Sequence, residues 1–514
     1  MRKITLSLFF LSLAVLVAAQ GKNDRAWLDL NQTRTLWMAS GNAAGLAVQA
    51  PQSFNLVEAR YDREDGSWRP LQSGEHTANV QFDTQGARQI GAVRLWGHFR
   101  YNNGNEKASS FNTLLYNPYD ERFLYTAADS VEGQWKKQSY EMEFKAAVPL
   151  GEHLATGLHV HYADRIAAGQ IDPRAESYHY AVTVKPGLVW KTGASRIGLN
   201  GLYAHTLERS TPSISNSQQI QKVYLMRGLG NFVGEQVGGG GLSTMYFRCN
   251  TWGGALQYGY SDGWQLLAEA SYAYHNSRIR ESPTQPKPHG TTRQEEGGLK
   301  VQALFGERLL HKITLDAKLI RTIGTEPTTR WNTATGEWEV RYELDQVVLK
   351  TAGLTLAYDG FVLDGDAYTW KLHGELGWEK KDDSYALPAS TFAYGNLRAA
   401  LGAERRWALR KGSLQGGLSA EANKNLSGTY EYQGHRAAYA PVRDLYPHNL
   451  AVLAADWIKA GIKGEYAFPV GKDVNLAFCA EAAWLGARPA GRSGAADTGS
   501  LNRLFTLAAV KLYF

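Results

Sequence analysis

The chain has 514 residues, among them 53 Gly, 27 Tyr, 15 Trp, 17 Phe and two Cys, with 44% hydrophobic and 20% charged residues. So few cysteines exclude a disulfide scaffold, the hydrophobic content argues against a disordered chain, and the lack of a long charge-poor apolar run beyond the N-terminus excludes a bundle of membrane-spanning helices. The formal charge is +6, or 53 − 49 = +4 without Arg2 and Lys3, too small an excess to point to nucleic acid.

Residues Met1 to Ala19 have the three parts of a secretory signal peptide: a basic end at Arg2 and Lys3, an apolar stretch from Ile4 to Val17, and the small residues Val17-Ala18-Ala19 before a polar continuation. The apolar stretch is too short to span a bilayer comfortably. The mature chain is therefore expected outside the cytoplasm. Residues 20–52 read as a periplasmic or lumenal segment and residues 53–514 as one large domain, with no separate plug domain before it.

From residue 53 onward, apolar residues recur with period two, the repeat of a strand whose two faces meet different surroundings. The predicted strands cover 53–62, 76–85, 88–101, 138–150, 153–167, 176–191, 194–209, 246–261 and 263–279. The second half adds 292–305, 309–322, 345–361, 368–380, 392–410, 413–426, 455–469, 473–488 and 501–514. In the strand after Gly263, Trp264, Leu266, Ala268, Ala270, Tyr272 and Tyr274 form an apolar face opposite Gln265, Glu269, Ser271 and His275, with Leu267 and Ala273 as exceptions. After His311, Ile313, Leu315, Ala317 and Leu319 alternate with Lys312, Thr314, Asp316 and Lys318. After Tyr368, Trp370, Leu372, Gly374, Leu376 and Trp378 alternate with Thr369, Lys371, His373, Glu375 and Glu379.

Short turns are expected at Gln85-Gly86-Ala87, Leu150-Gly151-Glu152, Lys191-Thr192-Gly193, Asp262-Gly263, Phe305-Gly306-Glu307, Lys411-Gly412 and Val470-Gly471-Lys472. Long polar connections are expected near 102–137, 210–245, 323–345 and 427–453. Apolar faces ending in Tyr or Trp, charged opposite faces, and short turns alternating with long loops predict an all-β fold, a transmembrane antiparallel β-barrel of about 18 strands, with 16 or 14 as alternatives. A barrel of that size leaves an aqueous channel unless loops fill it.

At the end of the chain, Thr506, Ala508, Val510, Leu512 and Phe514 share one face. This resembles the C-terminal signature of Gram-negative outer-membrane barrels, and implies that Val510, Leu512 and Phe514 are read by the barrel-assembly machinery. The stretch Leu36-Trp37-Met38-Ala39-Ser40-Gly41-Asn42-Ala43-Ala44-Gly45-Leu46-Ala47 is similar to the Asn-Pro-Ala-Gly-Leu-Ala element of long-chain fatty-acid transporter barrels, with Ala43 where proline would stand. The resemblance implies a hatch that enters the barrel; the plainer reading is a short cap without a gating role. The arrangement as a whole, with Asn117-Pro118-Tyr119-Asp120, Asp129-Ser130-Val131-Glu132-Gly133 and the terminal Tyr513-Phe514, resembles uncharacterised Bacteroidota outer-membrane barrels encoded beside TonB-dependent receptors. It implies such a receptor as a partner and supplies no catalytic residues.

Several residue groups invite a chemical reading. Gly228-Leu229-Gly230-Asn231-Phe232-Val233-Gly234 with Gly238 to Gly241 lacks the following helix that a phosphate cradle needs, and reads instead as a loop able to fold inward and narrow the pore. His159 and His161 lie on one polar face without a third metal ligand, and Asp120, Glu121, Asp129 and Glu132 show no spacing that selects a nucleophile or base. Cys249 and Cys479 are far apart in sequence, and a bridge between them stays open. The expected lumen-lining charges are Arg94, His98, Arg100, Glu141, Glu143, Lys145, Lys312, Asp316, Lys318, Lys371, Glu375, Arg398, Glu404, Lys459 and Lys463. The expectation is a non-enzymatic outer-membrane barrel without cofactor or metal that passes or imports a small solute, in contact with outer-membrane lipid. A blocked-lumen accessory or binding barrel beside a receptor or secretion complex is the second reading, and a membrane-embedded hydrolase the third.

Overall fold

A computed structural model describes residues 24–216, 218, 221–237, 242–282, 284–489 and 501–514. The expected signal peptide and Gly238 to Gly241 lie outside the described residues. The chain enters through helix α1 (Arg25–Thr33) and two short 3-10 turns (Leu36–Ala39 and Ala43–Ala47). The strands that follow are β1 (Phe54–Asp65), β2 (His76–Ile90), β3 (Val93–Ser109), β4 (Ala127–Ala128), β5 (Gly133–Pro149), β6 (Leu154–Gly169) and β7 (Arg174–Thr192). Next come β8 (Ser195–Ser213), β9 (Lys222–Gly228), β10 (Asn231–Gln236), β11 (Met245–Asp262), β12 (Trp264–Glu281), β13 (Lys287–Phe305) and β14 (Leu309–Asn332). The last are β15 (Glu337–Asp364), β16 (Ala367–Tyr385), β17 (Ser390–Leu409), β18 (Gly412–Tyr432), β19 (Asp456–Pro469), β20 (Asn475–Arg488) and β21 (Leu501–Tyr513). A π turn (Pro441–Leu445) runs into helix α2 (Tyr446–Leu453) between β18 and β19.

Eighteen of these strands form one antiparallel sheet, and β4, β9 and β10 form a separate small one. The large sheet closes on itself where β1 pairs with β21 from Leu56 opposite Tyr513 to Asp65 opposite Leu504. At the seam the Phe514 N–H donates to the Asn55 carbonyl at 3.0 Å, so pairing reaches the last residue of the chain. Closure leaves no unpaired sheet edge. Both ends of the described chain and the turns after β2, β5, β7, β11, β13, β15, β17 and β19 lie at one end of the barrel; the longer connections lie at the other.

Side chains alternate as the period predicts. Leu256, Leu319, Leu376, Leu401, Leu418, Ile458 and Ile462 stand outward, and Leu401 and Leu418 are 70% and 66% exposed. A water-facing band of such residues forgoes about 1.5–3 kcal/mol per side chain, so its surroundings are hydrocarbon rather than water. Trp370 and Trp378 stand outward on β16, eight residues or roughly 26 Å of strand apart, the spacing of two interfacial girdles. The fold is an outer-membrane-type β-barrel.

Two sequence expectations need correction. Gln85-Gly86-Ala87 is not a turn but the interior of β2; the turn falls at Gly91-Ala92, where Gly91 has φ +59°. Gly86 serves a close approach instead, since a Cβ there would lie 3.0 Å from the Phe54 carbonyl oxygen on β1. The long loop expected over 323–345 is a projecting hairpin, with β14 and β15 paired as far as Asn332 and Glu337 and Trp331 edge-on to Trp338. Strand residues likewise occupy 102–109, 210–213 and 427–432 of the other expected connections.

Candidate functional site: a lumen closed from both ends

The N-terminal segment fills the turn end of the barrel. Asp24 starts α1 by accepting a hydrogen bond from the Trp27 N–H at 3.0 Å, which satisfies one otherwise unpaired helix donor. The same carboxylate pairs with Arg406 on β17 at 2.7 Å and accepts from Ser413 on β18 at 3.1 Å. The next residue, Arg25, approaches Glu404 at 3.8 Å and Glu465 at 3.9 Å. Burial works against the Arg25 charge, yet Asp29, Glu404 and Glu465 hold its pKa above the ordinary value. Asp29 accepts from Tyr368 at 2.9 Å and pairs with Lys371 at 3.4 Å.

Apolar contacts complete the closure. Ala26, Leu30, Leu36, Trp37 and Ala44 cluster with Val189, Leu267, Leu304, Leu310, Phe361 and Tyr368 of β7 and β12 to β16. Trp27, Leu28 and Leu46 cluster with Phe54, Leu56, Ala87, Trp96, Ala147, Ala467, Ala477 and Tyr513 of β1, β2, β3, β5, β19, β20 and β21. Of the two apolar exceptions on that polar face, Leu267 is thereby explained: it clusters with the segment.

Asn42 sits deepest. It is 1% exposed, donates from Nδ2 to Leu188 O at 2.9 Å, Leu199 O at 3.2 Å and Gln257 Oε1 at 3.0 Å, and caps the second 3-10 turn through the Ala44 N–H at 3.0 Å. Gly187 and Gly198 leave room for its side chain, and Gly157 on β6 lies directly against the backbone of Ala43 and Ala44. Glu269 accepts from the Gly41 N–H at 2.9 Å. Residues 24–47 thus share a hydrogen bond, an ion pair, a close backbone approach or an apolar cluster with each of the eighteen barrel strands.

The loop end is closed by connections folded inward. The loop after β3 brings Leu114, Leu115, Phe123 and Tyr125 against Phe247, Cys249 and Ile279 on the inner wall. The described part of the glycine-rich stretch, Gly228 to Gly234, belongs to the hairpin of β9 and β10, and Leu229 at its tip clusters with Val347, Tyr385, Phe392, Tyr430, Val442 and Leu450. Helix α2 adds Val452, which clusters with Trp457, Leu485 and Leu501. Within this cap, burial pushes the Asp129 carboxyl up to about 7, and burial also lowers the pKa of His448, whose Nε2 donates to Arg69 O at 2.9 Å.

Between segment and cap, on the side of β15 to β21, β1 and β2, lies a space of about 940 Å³ bordered by Arg60, Asp62, Lys371, Glu375, Arg398 and Glu404 among others. The charges expected to line the lumen are found on the face opposite the outward leucines, and most are held in pairs. His98 and Arg100 each meet Asp83 at 2.9 Å, Glu141 meets Arg165 at 2.7 Å, and Glu143 meets His159 at 2.8 Å. Lys145 donates to Met38 O at 3.1 Å and lies over the Trp96 ring. Lys312 stands opposite Asp359, Asp316 opposite Lys300, and Lys318 pairs with Glu296 at 3.0 Å. Glu404 meets Lys463 at 2.5 Å and Lys459 meets Glu421 at 3.3 Å. Arg398 lies over Trp457, Glu375 borders the chamber, and Arg94 lines a recess beside Leu46 and Ala50. No ring of unpaired charge arises from this set.

The remaining candidates fall elsewhere. Asp120 pairs with Arg122 at 2.7 Å, Glu121 with Lys381, and Glu132 approaches Arg69 at 3.9 Å, so these loop acids brace the cap. Among the described residues no three His, Cys, Asp or Glu side chains gather as a metal site. Cys249 and Cys479 are buried, unbridged thiols. Val510 faces outward, Leu512 is half-buried beside it, and Phe514 closes the seam with Asn55.

Residues 43–514 match the model of a protein family described as a family of unknown function, DUF6850. The chain belongs to this family. Among curated proteins no sequence matches it. Similar solved structures include the ferric preacinetobactin receptor of Acinetobacter baumannii, at 10% identity over 89% of this chain and 80% of that one with a TM-score of 0.42. The ferric yersiniabactin uptake receptor of Yersinia pestis gives 7% identity, 90% and 80% coverage and a TM-score of 0.42. A ferric citrate transporter gives 10%, 90%, 79% and 0.39.

The residues that hold the segment in place, Asp24, Arg25, Asp29, Asn200, Gln257 and Glu269, carried no motif. Asn42 lay inside the stretch singled out in the sequence, but its partners are up to 215 positions away and only barrel closure brings them together.

Proposed function

We propose that the protein is a gated solute-uptake barrel of the Gram-negative outer membrane, described here in its closed state, with residues 24–47 as the gate. The observation that carries this is that one short segment shares hydrogen bonds, ion pairs, close backbone approaches or apolar clusters with all eighteen strands, with no strand pairing between its described residues and the wall. Because the segment shares no backbone ladder with the barrel, it can leave while every interstrand hydrogen bond remains. Its covalent connection to β1 runs through residues 48–53. This is the hatch behaviour implied by the likeness of Leu36–Ala47 to the fatty-acid transporter element. The chamber behind it carries both charge signs, which suits a small polar solute rather than a fatty acid. The chemistry is binding and passage, without catalysis.

The test is conductance of the purified full chain in planar bilayers as urea is raised, with heat-modifiable gel migration reporting that the barrel itself stays folded. The expected result is silence without urea and reversible step openings while the barrel is intact. A barrel that stays silent until it unfolds would refute gating and leave the blocked-lumen accessory role, beside a TonB-dependent receptor or secretion complex, as the reading to pursue.

A further inference from the structure

The outer wall of β11 and β12 carries a feature that uptake does not use. Successive cross-strand rows can be followed there from the loop end downward. The first is Arg209, Tyr246 and Arg280; the second Leu207, Arg248 and Arg278; the third His205, Asn250 and Asn276; the fourth Tyr203, Trp252 and Tyr274. Tyr246, Arg248, Asn250, Trp252, Arg278 and Arg280 together line a groove of about 440 Å³.

Arg248 and Arg278 are directly opposed on neighbouring strands, an arrangement that destabilises a sheet unless something offsets the like charges. Among the described residues no carboxylate pairs with Arg248, Arg278 or Arg280. Glu281 on the same strand faces inward and is taken by His289 at 2.9 Å; Glu176 stands outward on β7, two strands from β11, next to Tyr178; Glu295 lies lower, opposite Tyr274. Three other outer-wall cations have a carboxylate beside them: Arg293 holds Asp345 at 2.8 Å, Lys424 holds Asp456, and Lys350 faces Asp382 in register. The missing counter-charge therefore belongs to something outside the chain.

Height on the wall says what that is. The Tyr203–Trp252–Tyr274 row has the composition of an interfacial girdle, and the arginines lie just on its loop side, where lipid headgroups sit. Guanidinium forks fit phosphate oxygens in pairs, and the flanking Tyr246 and Trp252 offer flat faces for a sugar ring. We propose that this groove binds the phosphorylated sugar headgroup of a glycolipid in the outer leaflet. The inference rests on the outer-membrane placement proposed above and on loops facing outward.

The experiment uses full-length protein and the R248Q/R278Q/R280Q variant in detergent, titrated with fluorescent lipid A, with lipid A stripped of its phosphates, and with inorganic phosphate as competitor. Lipid A binding is expected to weaken roughly tenfold or more in the triple variant and by a similar factor on loss of the phosphates. An R248K/R278K/R280K variant should fall between, because lysine keeps the charge but loses the fork. Inorganic phosphate in excess should leave lipid A bound. Equal binding by wild type and the glutamine variant overturns the proposal, and so does full displacement by inorganic phosphate, which would make the groove a free-phosphate site. Heat-modifiable migration shows that each variant is folded. Fractionation of cells making the wild type separates the two readings. Wild type absent from the outer membrane refutes the placement itself. Wild type in the outer membrane with undiminished lipid A binding by the variant refutes only the headgroup site.

Discussion

Asn42 on the N-terminal segment donates from Nδ2 to Oε1 of Gln257 on β11 at 3.0 Å, and Gln257 in turn donates to Asn200 at 2.7 Å and Glu269 at 3.0 Å. Asn42 is thus the buried end of a network that locks segment to wall. Asn42→Asp keeps the shape but turns the donor into an acceptor facing the carbonyls of Leu188 and Leu199. Leaving buried polar partners unsatisfied costs about 1–3 kcal/mol, so the closed-to-open ratio should fall by about fivefold to a hundredfold. Single-channel recordings should show openings of Asn42→Asp without urea, with Asn42→Gln less disturbed. Silent Asn42→Asp channels would show that the network does not hold the gate.

Gly157 makes the same point through volume. A Cβ at this position overlaps the backbone of Ala43 and Ala44, and backbone cannot swing aside as a side chain can. Gly157→Val should displace the second 3-10 turn while preserving β6, since valine favours strands. The expected readout is faster cleavage of the N-terminal segment by added protease, with unchanged heat-modifiable migration. Protection equal to wild type would mean that the segment does not seat against β6 in the membrane.

How far the sequence revealed these contacts depends on what each residue faces. The eighteen strands were legible because hydrocarbon outside and polar groups inside impose period two on every wall segment. Gly86 misled because a glycine within a strand can mark a turn or a close approach, and only the partner strand, here Phe54 and Asn55, distinguishes them. The β14–β15 hairpin beyond residue 323 has the sequence pattern of a loop because both its faces meet water and the alternation fades. Leu114, Leu115 and Tyr125 show no period at all. Their burial depends on Phe247, Ile279 and Gly290, more than a hundred positions away, which no local pattern encodes.

Cap stability should depend on the proton carried by Asp129. Burial raises this carboxyl from 3.8 to about 7, and Tyr224 is a neighbouring titratable group. The folded cap therefore holds a proton that the unfolded loop has released, and the associated stability is present at low pH and lost as pH rises toward 7. Asp129→Asn mimics the protonated form. Hydrogen exchange of residues 110–132 should speed up in wild type relative to Asp129→Asn as pH rises from about 5, and the difference should level off above about 7. His448 works in the opposite direction, because its buried neutral ring is stabilising only until pH falls below the ordinary 6.5. Taking the difference between the two proteins removes that contribution. Parallel pH profiles would rule out Asp129 as the titrating group.

The two thiols report separately on the two ends of the lumen. Cys249 is fully buried in the cap cluster with Phe247 and Ile279, whereas Cys479 on β20 stands in register opposite Glu465, which Arg25 of the N-terminal segment approaches at 3.9 Å. A maleimide should label neither in the folded wild type. In Gly157→Val, which loosens only the turn end, Cys479 should label about tenfold faster if the closed state loses about 1.4 kcal/mol, while Cys249 keeps its wild-type rate. Single-cysteine forms made with Cys249→Ser or Cys479→Ser assign each rate by mass. Equal acceleration at both thiols would mean that segment and cap open as one unit, and the picture of an independent N-terminal gate would have to be abandoned.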